Sequence, residues 1–198
     1  MLLLLTGSVC SGKTTIAHRC ATVERLVVHD FDEVGVPEDA DASWRQRTLE
    51  LWAERAIAYE DAGRDLLLSG QSPLGEALAV PTAPLMGRIS ACLLDVSDTE
   101  RLRRLDERDP GKWTTADKQD FLAWAAWHRG HAADPTYRPE VITADGWPHM
   151  LWDRWSDWQA GDPRWQVEII DTTDKSLDEC VAAVRAWIDA ARHPNREG

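Results

Sequence analysis

The chain has 198 residues, enough for one α/β domain with a full hydrophobic core. Apolar residues make up 43% and charged residues 28%, and the formal net charge is −12. That charge, carried with 18 arginines and only 4 lysines, argues against a surface built for long nucleic acids or anionic membranes. A local arginine cluster could still hold a phosphorylated small molecule. The four cysteines (Cys10, Cys20, Cys92, Cys180) show neither C-x-x-C pairing nor metal-type spacing, so they read as reduced thiols of a cytoplasmic protein.

In chain order, the apolar run from Met1 to Leu5 predicts a buried strand over about 1–6. It is too short for a signal-peptide core, has no basic lead-in, and runs straight into a Gly-rich loop. Residues Gly7-Ser8-Val9-Cys10-Ser11-Gly12-Lys13-Thr14 complete a G-x-x-x-x-G-K-[ST] phosphate-binding pattern, and a helix is expected over about 13–23. Leu26 to Asp30 predicts a second strand, ending in Asp30-Phe31-Asp32-Glu33. A Pro/Asp-rich loop follows, then a helix over about 42–61 with Leu49, Trp52, Ala53 and Ala56 on one face, closed by Gly63.

Leu66-Leu67-Leu68 predicts a third strand, followed by Ser69-Gly70-Gln71-Ser72-Pro73, with Pro73 suited to the first turn of a short helix. A fourth strand is expected from Ala91 to Asp95. Ser97-Asp98-Thr99-Glu100 then reads as a capping box opening a helix that Pro110-Gly111 ends. Val167 to Asp171 predicts a fifth strand, and Ser176-Leu177-Asp178-Glu179 a second capping box before the last helix. Five short apolar strands alternating with helices imply a parallel sheet covered on both faces. Residues 110–166 break the rhythm. They hold 8 of the 11 tryptophans and no convincing strand, which predicts a helical insertion over the active-site edge, acting as a lid that carries substrate contacts. No membrane-length apolar stretch is present, since a span needs roughly 18 such residues.

The glycines at 7 and 12 let the loop turn tightly and bring backbone N–H groups onto phosphate oxygens. Lys13 adds charge toward the β- and γ-phosphates, and the Thr14 hydroxyl can ligate Mg²⁺. The predicted nucleotide-binding set is Gly7, Ser8, Ser11, Gly12, Lys13, Thr14 and Thr15. Asp30 and Asp32, two apart at the carboxyl end of the second strand, can hold Mg²⁺, accept a proton from an attacking hydroxyl, or orient it. The third strand has Ser69 where a Walker B aspartate would stand. Leu93-Leu94-Asp95 formally fits that pattern, so Asp95 competes with Asp30 for the metal, with Asp30 the preferred choice.

Ser69, Gly70 and Gln71 offer polar groups to a substrate. Arg104 and Arg108, spaced i, i+4 on one helix face, can stabilise the charge that develops during phosphoryl transfer, Arg101 less so. Arg129 and Arg138 are weaker candidates for the same task. The tryptophans at 124, 127, 152, 155 and 158 recur every three residues on what reads as helical segments, most of them core and one or two free to stack on a substrate ring. His128, His131 and His149 read as structural or surface residues.

Together the phosphate loop, the Asp30-x-Asp32 pair, the Leu93-Leu94-Asp95-Val96-Ser97 strand and the Arg104-Leu-Asp-Glu-Arg108 helix resemble the P-loop kinases of the nucleoside-monophosphate-kinase group. The Asp-x-Asp placement is most similar to shikimate-kinase-like and gluconate-kinase-like enzymes and to chloramphenicol phosphotransferase. The resemblance covers about 1–109 and 167–190, whereas the 110–166 segment matches none of them. It implies a three-layer α/β/α sandwich with strand order 2-3-1-4-5, ATP and Mg²⁺ as cofactors, and Thr14 and Asp30 at the metal. It further implies Asp32 and Gln71 at the acceptor, Arg104 against adenine with Thr172 and Thr173 in the adenine loop, and Arg108 on the phosphates.

The expected activity is ATP-dependent transfer of the γ-phosphate to a hydroxyl of a small molecule by a monomer or homodimer. Two other readings stay open. One is a nucleotide or polynucleotide 5′-kinase, and the other an ATP-binding switch that hydrolyses slowly.

Overall fold

A computed structural model describes residues 1–194. Five strands form one parallel sheet: β1 (Leu2–Thr6), β2 (Leu26–Asp30), β3 (Asp65–Ser69), β4 (Ile89–Asp95) and β5 (Val167–Asp171), in the order β2-β3-β1-β4-β5. Seven helices connect or cover them: α1 (Lys13–Arg19), α2 (Ala42–Asp61), α3 (Leu74–Ala79), α4 (Asp98–Arg108), α5 (Thr115–Ala133), the single turn α6 (Glu140–Thr143) and α7 (Leu177–Arg192). Strand order, strand positions and the layering on both faces agree with the sequence-based expectation.

The leucines of β1 show why a continuous apolar run makes this strand. Side chains alternate across a sheet, and here both faces are covered. Leu2 and Leu4 join a core with Leu49, Trp52 and Ala56 of α2, Leu66 and Leu68 of β3, and Leu74 and Ala77 of α3. Leu3 and Leu5 point the other way, onto Ile16 and Ala17 of α1 and Val184 and Ile188 of α7. All four are 0% exposed. Each such side chain stabilises the fold by roughly 1.5–3 kcal/mol relative to an exposed one.

Three local expectations need correcting. α1 stops at Arg19, short of residue 23, because Cys20 to Leu26 closes the connection as a series of tight turns. The box at Ser97 is only half made. The Ser97 hydroxyl accepts from the Glu100 N–H, but the Glu100 carboxylate turns away to Arg103 and Arg104. The box at Ser176 is complete, as is one at Thr114–Asp117 that starts α5. Third, 152–158 is not a helical segment. Only Trp152–Arg154 forms a 3₁₀ turn, and the three-residue spacing there reflects that tighter winding and the turns after it.

The 110–166 segment contains α5, α6 and this turn, and no strand. Its buried tryptophans, Trp127, Trp155 and Trp165, belong to the core that covers Leu2 and Leu4. Each anchors its indole N–H on a backbone carbonyl: Trp127 on Arg138 (3.0 Å), Trp155 on Gly75 (2.8 Å), and Trp165 on His131 and Ala132 (3.1 and 3.2 Å). His128 and His131 are buried among these rings, whereas His149 is exposed. No helix is long and apolar enough to cross a membrane among the described residues.

Candidate active site

The carboxyl ends of β1, β2 and β3 open onto a cavity of about 520 Å³. Gly12, Lys13, Thr14, Thr15, Asp30, Asp32, Gln71, Arg104 and Arg108 all line it. The loop between β1 and α1 forms its floor. Gly7 has φ +151°, and a Cβ there would come within 2.4 Å of the Leu94 carbonyl oxygen, so only glycine fits. Gly12 has φ +90° and leads directly into α1. Between them, the backbone N–H groups of Val9 through Gly12 have no backbone partner among the described residues. Free donors next to a helix N-terminus make a cradle for anionic oxygens.

Lys13 folds back so that its ammonium donates to the Ser8 carbonyl (3.0 Å). Desolvation lowers its pKa to about 8, although Asp30 and Asp32 pull the other way. The two serines of the predicted set do something different from contacting phosphate with their hydroxyls. Ser8 is buried and donates to the Phe121 carbonyl of α5 (3.1 Å), and Ser11 is buried beneath the loop. Of the two, Ser11 has its backbone N–H among the free donors, whereas Ser8 gives its carbonyl to Lys13.

Asp30 is held by three donors. The Thr14 and Ser69 hydroxyls donate to Oδ2 (2.6 and 2.9 Å), and the Asp32 N–H donates to Oδ1 (3.1 Å). β2 and β3 pair with Asp30 opposite Ser69, so parallel register alone brings these two groups together. Ser69 thus supports a carboxylate on the neighbouring strand instead of supplying one. Partial burial pushes the Asp30 carboxyl up. The hydrogen bonds from Thr14, Asp32 and Ser69, with Lys13 beyond them, outweigh it and hold the group below the usual carboxylate range. Asp32 goes the opposite way: burial first, then the Asp30 charge, raise it, with Lys13 offsetting part. The Asp30 N–H in turn donates to the Glu33 carboxylate (2.9 Å), which closes the cap of the 3₁₀ turn Phe31–Val34 that carries Asp32.

Asp95 is committed elsewhere. The fully buried Arg101 donates to it at 2.8 Å and Arg129 donates to both of its oxygens at 3.3 Å. Arg101 also donates to the carbonyls of Val9 and Val96, and Arg129 to Asp98. These two arginines therefore clamp α4, α5 and the phosphate loop to the end of β4. Arg138 lies on the exposed surface beside Glu140.

Arg104 lies between the phosphate loop and the residues after β5. Its guanidinium donates to the Thr172 carbonyl (2.8 Å) and Thr172 hydroxyl (3.3 Å), and to the Cys10 carbonyl (3.4 Å). Thr172 lines a second cavity of about 210 Å³, which shares Gly12, Thr15 and Arg104 with the first. Arg108 is exposed at the end of α4, its Nε donating to Asp109 (2.8 Å).

Sequence reasoning missed Phe31, Trp44 and Arg45 of the opposite wall, which the expected Gly70 completes. Trp44 and Arg45 stand in the first turn of α2, where nothing in the helical periodicity separates a cavity-facing position from a surface one.

No family model matches the sequence, and no curated protein is detectably similar to it in sequence. Solved structures do match in fold. A sugar kinase from Janibacter sp. HTCC2649 aligns over 96% of this chain and 95% of its own, with TM-score 0.60 and 18% identity. A gluconokinase from Sinorhizobium meliloti 1021 aligns over 96% and 93%, with TM-score 0.61 and 16% identity. A shikimate kinase from Acinetobacter baumannii, solved with shikimate, aligns over 100% and 95%, with TM-score 0.57 and 14% identity. The architecture is therefore that of the P-loop kinases. At the level of fold, it is shared with solved structures named sugar kinase, gluconokinase and shikimate kinase.

Proposed function

We propose that this protein transfers the γ-phosphate of ATP to a hydroxyl group of a small molecule. The observation that carries the reading is the Asp30–Asp32 pair, placed with Lys13 and Thr14 on one cavity and driven to opposite protonation tendencies. A slow hydrolytic switch has no need of a second carboxylate beside the first. The net charge of −12 disfavours a polynucleotide acceptor.

Bound ATP would lay its phosphates on the free N–H groups of the loop, with Lys13 released from Ser8 onto the β- and γ-oxygens. The adenine would lie toward Arg104 and Thr172, and Arg108 would reach the phosphates. The residues present suit Mg²⁺. Thr14 offers a hydroxyl oxygen and Asp30 an ionised carboxylate at hydrogen-bond distance behind it. No cluster of three or more His, Cys, Asp or Glu side chains among the described residues would hold a metal unaided, so the cation would be shared with the phosphates. When bound, Mg²⁺ would neutralise charge on the phosphate oxygens.

Asp32, with its raised proton affinity, orients the acceptor hydroxyl and takes its proton. The hydroxyl oxygen bonds to the γ-phosphorus as the bond to the β-bridging oxygen breaks, and ADP leaves. The whole chain would work as one kinase domain. Its closing element would be the connection between α4 and α5, residues 109–114, because the buried Trp127, Ile142, Met150, Trp155 and Trp165 tie the remainder of 110–166 to the core. Four free thiols suit the cytoplasm, and the chain would act as a monomer or homodimer.

A screen of sugars, polyols, nucleosides and antibiotics for acceptor-dependent ADP release tests the reading. One acceptor giving stoichiometric ADP and phosphorylated product supports it. ADP release that never depends on an added hydroxyl compound would favour the switch.

A further inference from the structure

The acceptor half of the cavity has an unusual charge balance. Its wall opposite the phosphate loop holds one cation, Arg45, and that cation is already spent. Arg45 Nε donates to both carboxylate oxygens of Glu76 (3.1 and 3.0 Å) and Nη2 donates to Oε1 (2.7 Å). Glu76 is 0% exposed, in α3, and Gln46 Nε2 is its only other partner (3.1 Å) among the described residues. A buried carboxylate cannot give up its guanidinium without being left as an uncompensated charge, so the pair stays together. Arg45 is also held from the side, its guanidinium 5.1 Å from the Trp124 ring centre.

The other three cations on the cavity are on the nucleotide side: Lys13 and Arg104 at the phosphate loop, and Arg108 at the end of α4. What faces an acceptor is therefore Asp30 and Asp32, the electrically neutral Arg45–Glu76 pair, the neutral Gln71, and two rings. Phe31 and Trp44 meet edge to face, 5.8 Å between centres. Gly70 lets Phe31 sit this close, since a Cβ there would fall 2.8 Å from the Phe31 Cβ.

We infer that the acceptor is an uncharged polyhydroxylated ring compound and that sugar acids and other carboxylates are rejected. A carboxylate here would meet Asp32, while the cations of the cavity are committed to Glu76 or lie on the nucleotide side. A neutral ring would lay its C–H face on the half-buried Trp44, which Phe31 backs from the core, and accept one hydrogen bond from Arg45 Nη1, which has no partner among the described residues. The word acceptor rests on the kinase reading, but the charge of the wall can be measured without it.

Two measurements decide the matter. The first compares matched neutral and acidic probes, glucose with glucuronate and methyl shikimate with shikimate, by ADP release at saturating ATP–Mg²⁺. The neutral member should win by at least about 10-fold in kcat/KM, and Glu76→Gln, which frees Arg45, should narrow the gap. An acid preferred by the unaltered protein overturns the inference.

The second reads the wall directly. The quenching of Trp44, isolated as the difference between the unaltered protein and Trp44→Phe, is measured with iodide and with caesium, with and without ADP–Mg²⁺. Relative to each ion's quenching of free N-acetyltryptophanamide, caesium should quench more efficiently than iodide once ADP–Mg²⁺ covers the nucleotide-side cations. Relatively stronger quenching by iodide overturns the inference, even if no probe is phosphorylated or Glu76→Gln fails to fold. Failure to bind ATP or release ADP with any compound would sink the kinase reading alone, leaving the quenching result to stand.

Discussion

Replacing Asp30 by asparagine should separate the metal-side carboxylate from its neighbour. Asp30 accepts three hydrogen bonds, two hydroxyl donors on Oδ2 and one N–H on Oδ1. An asparagine that keeps its amide oxygen toward Thr14 and Ser69 turns its NH₂ against the Asp32 N–H. Flipped, it presents NH₂ to both hydroxyls, which must then rotate. Either way at least one charge-assisted bond is lost, worth about 1.5–3 kcal/mol, and the negative charge disappears. If that bond serves the transition state, the rate falls by about 10- to 150-fold. Asp32→Asn disturbs none of these three acceptor contacts, because Asp32 contributes only its backbone N–H to them.

The assay is ADP release with and without an acceptor, together with nucleotide affinity by calorimetry across a Mg²⁺ series. Asp30→Asn should lower both background and acceptor-dependent release and raise the Mg²⁺ concentration needed for half-maximal rate. Asp32→Asn should lower only the acceptor-dependent part and leave the Mg²⁺ series unchanged. Equal effects of the two substitutions on both readouts would refute the division of labour, and negligible effects of both would reduce the pair to a solvated turn.

Lys13→Ala should abolish turnover and weaken ATP binding while leaving the fold intact. With the Lys13 pKa lowered to about 8, the cation that attracts phosphate is lost as pH rises, so ATP affinity should fall above pH 8 by up to roughly tenfold per unit. Calorimetry at pH 7, 8 and 9 checks this, and an equally steep decline in Lys13→Ala would assign it to another group. His131 is held neutral by burial, its pKa lowered from 6.5 to about 4. The unfolded chain takes up that proton first, so stability present above pH 6.5 should be lost as pH falls toward 4, by about 3 kcal/mol in all. Urea titrations across that range should show the loss shrinking in His131→Phe. Trp155→Ala should cost about 3–5 kcal/mol, as expected for a truncated core aromatic. Emission from Trp113, in the 109–114 connection, should respond to ATP–Mg²⁺, as judged by the difference from Trp113→Phe; a silent Trp113 would argue against closure there.

The fold was readable because its signals are local. The β1 run, the phosphate loop and the caps at Ser97 and Ser176 each specify an element within a few residues. Asp30 could be placed at the site because a strand end fixes where the next side chain points. What escaped depends on pairing across the chain. Ser69 looked like a missing aspartate until register set it opposite Asp30. Asp95 fitted a metal-ligand pattern, yet Arg101 and Arg129, on two different helices, neutralise it. Arg45 is fixed at the cavity by Glu76, 31 positions beyond it, and Trp44 stands there against Phe31, from the end of β2. The tryptophan spacing suggested helix where a 3₁₀ turn and irregular chain stand, because three-residue repeats fit both windings.

The chain contains 11 tryptophans but only 2 phenylalanines and 2 tyrosines. The buried indoles of Trp52, Trp127, Trp155 and Trp165 each donate a hydrogen bond to a main-chain oxygen in a turn, a helix or a strand-to-turn junction. Of these, Trp127 of α5 bonds into 134–166 at Arg138, and Trp155 and Trp165 reach out of that irregular segment to α3 and α5. In this protein aromatic surface and hydrogen-bond donor are therefore a single component, and phenylalanine is not a conservative spare part for it. A Trp→Phe exchange at these positions keeps most of the greasy contact but strands a carbonyl in the dark of the core, which makes the indole nitrogen, six-membered ring aside, the atom that staples this irregular chain in place.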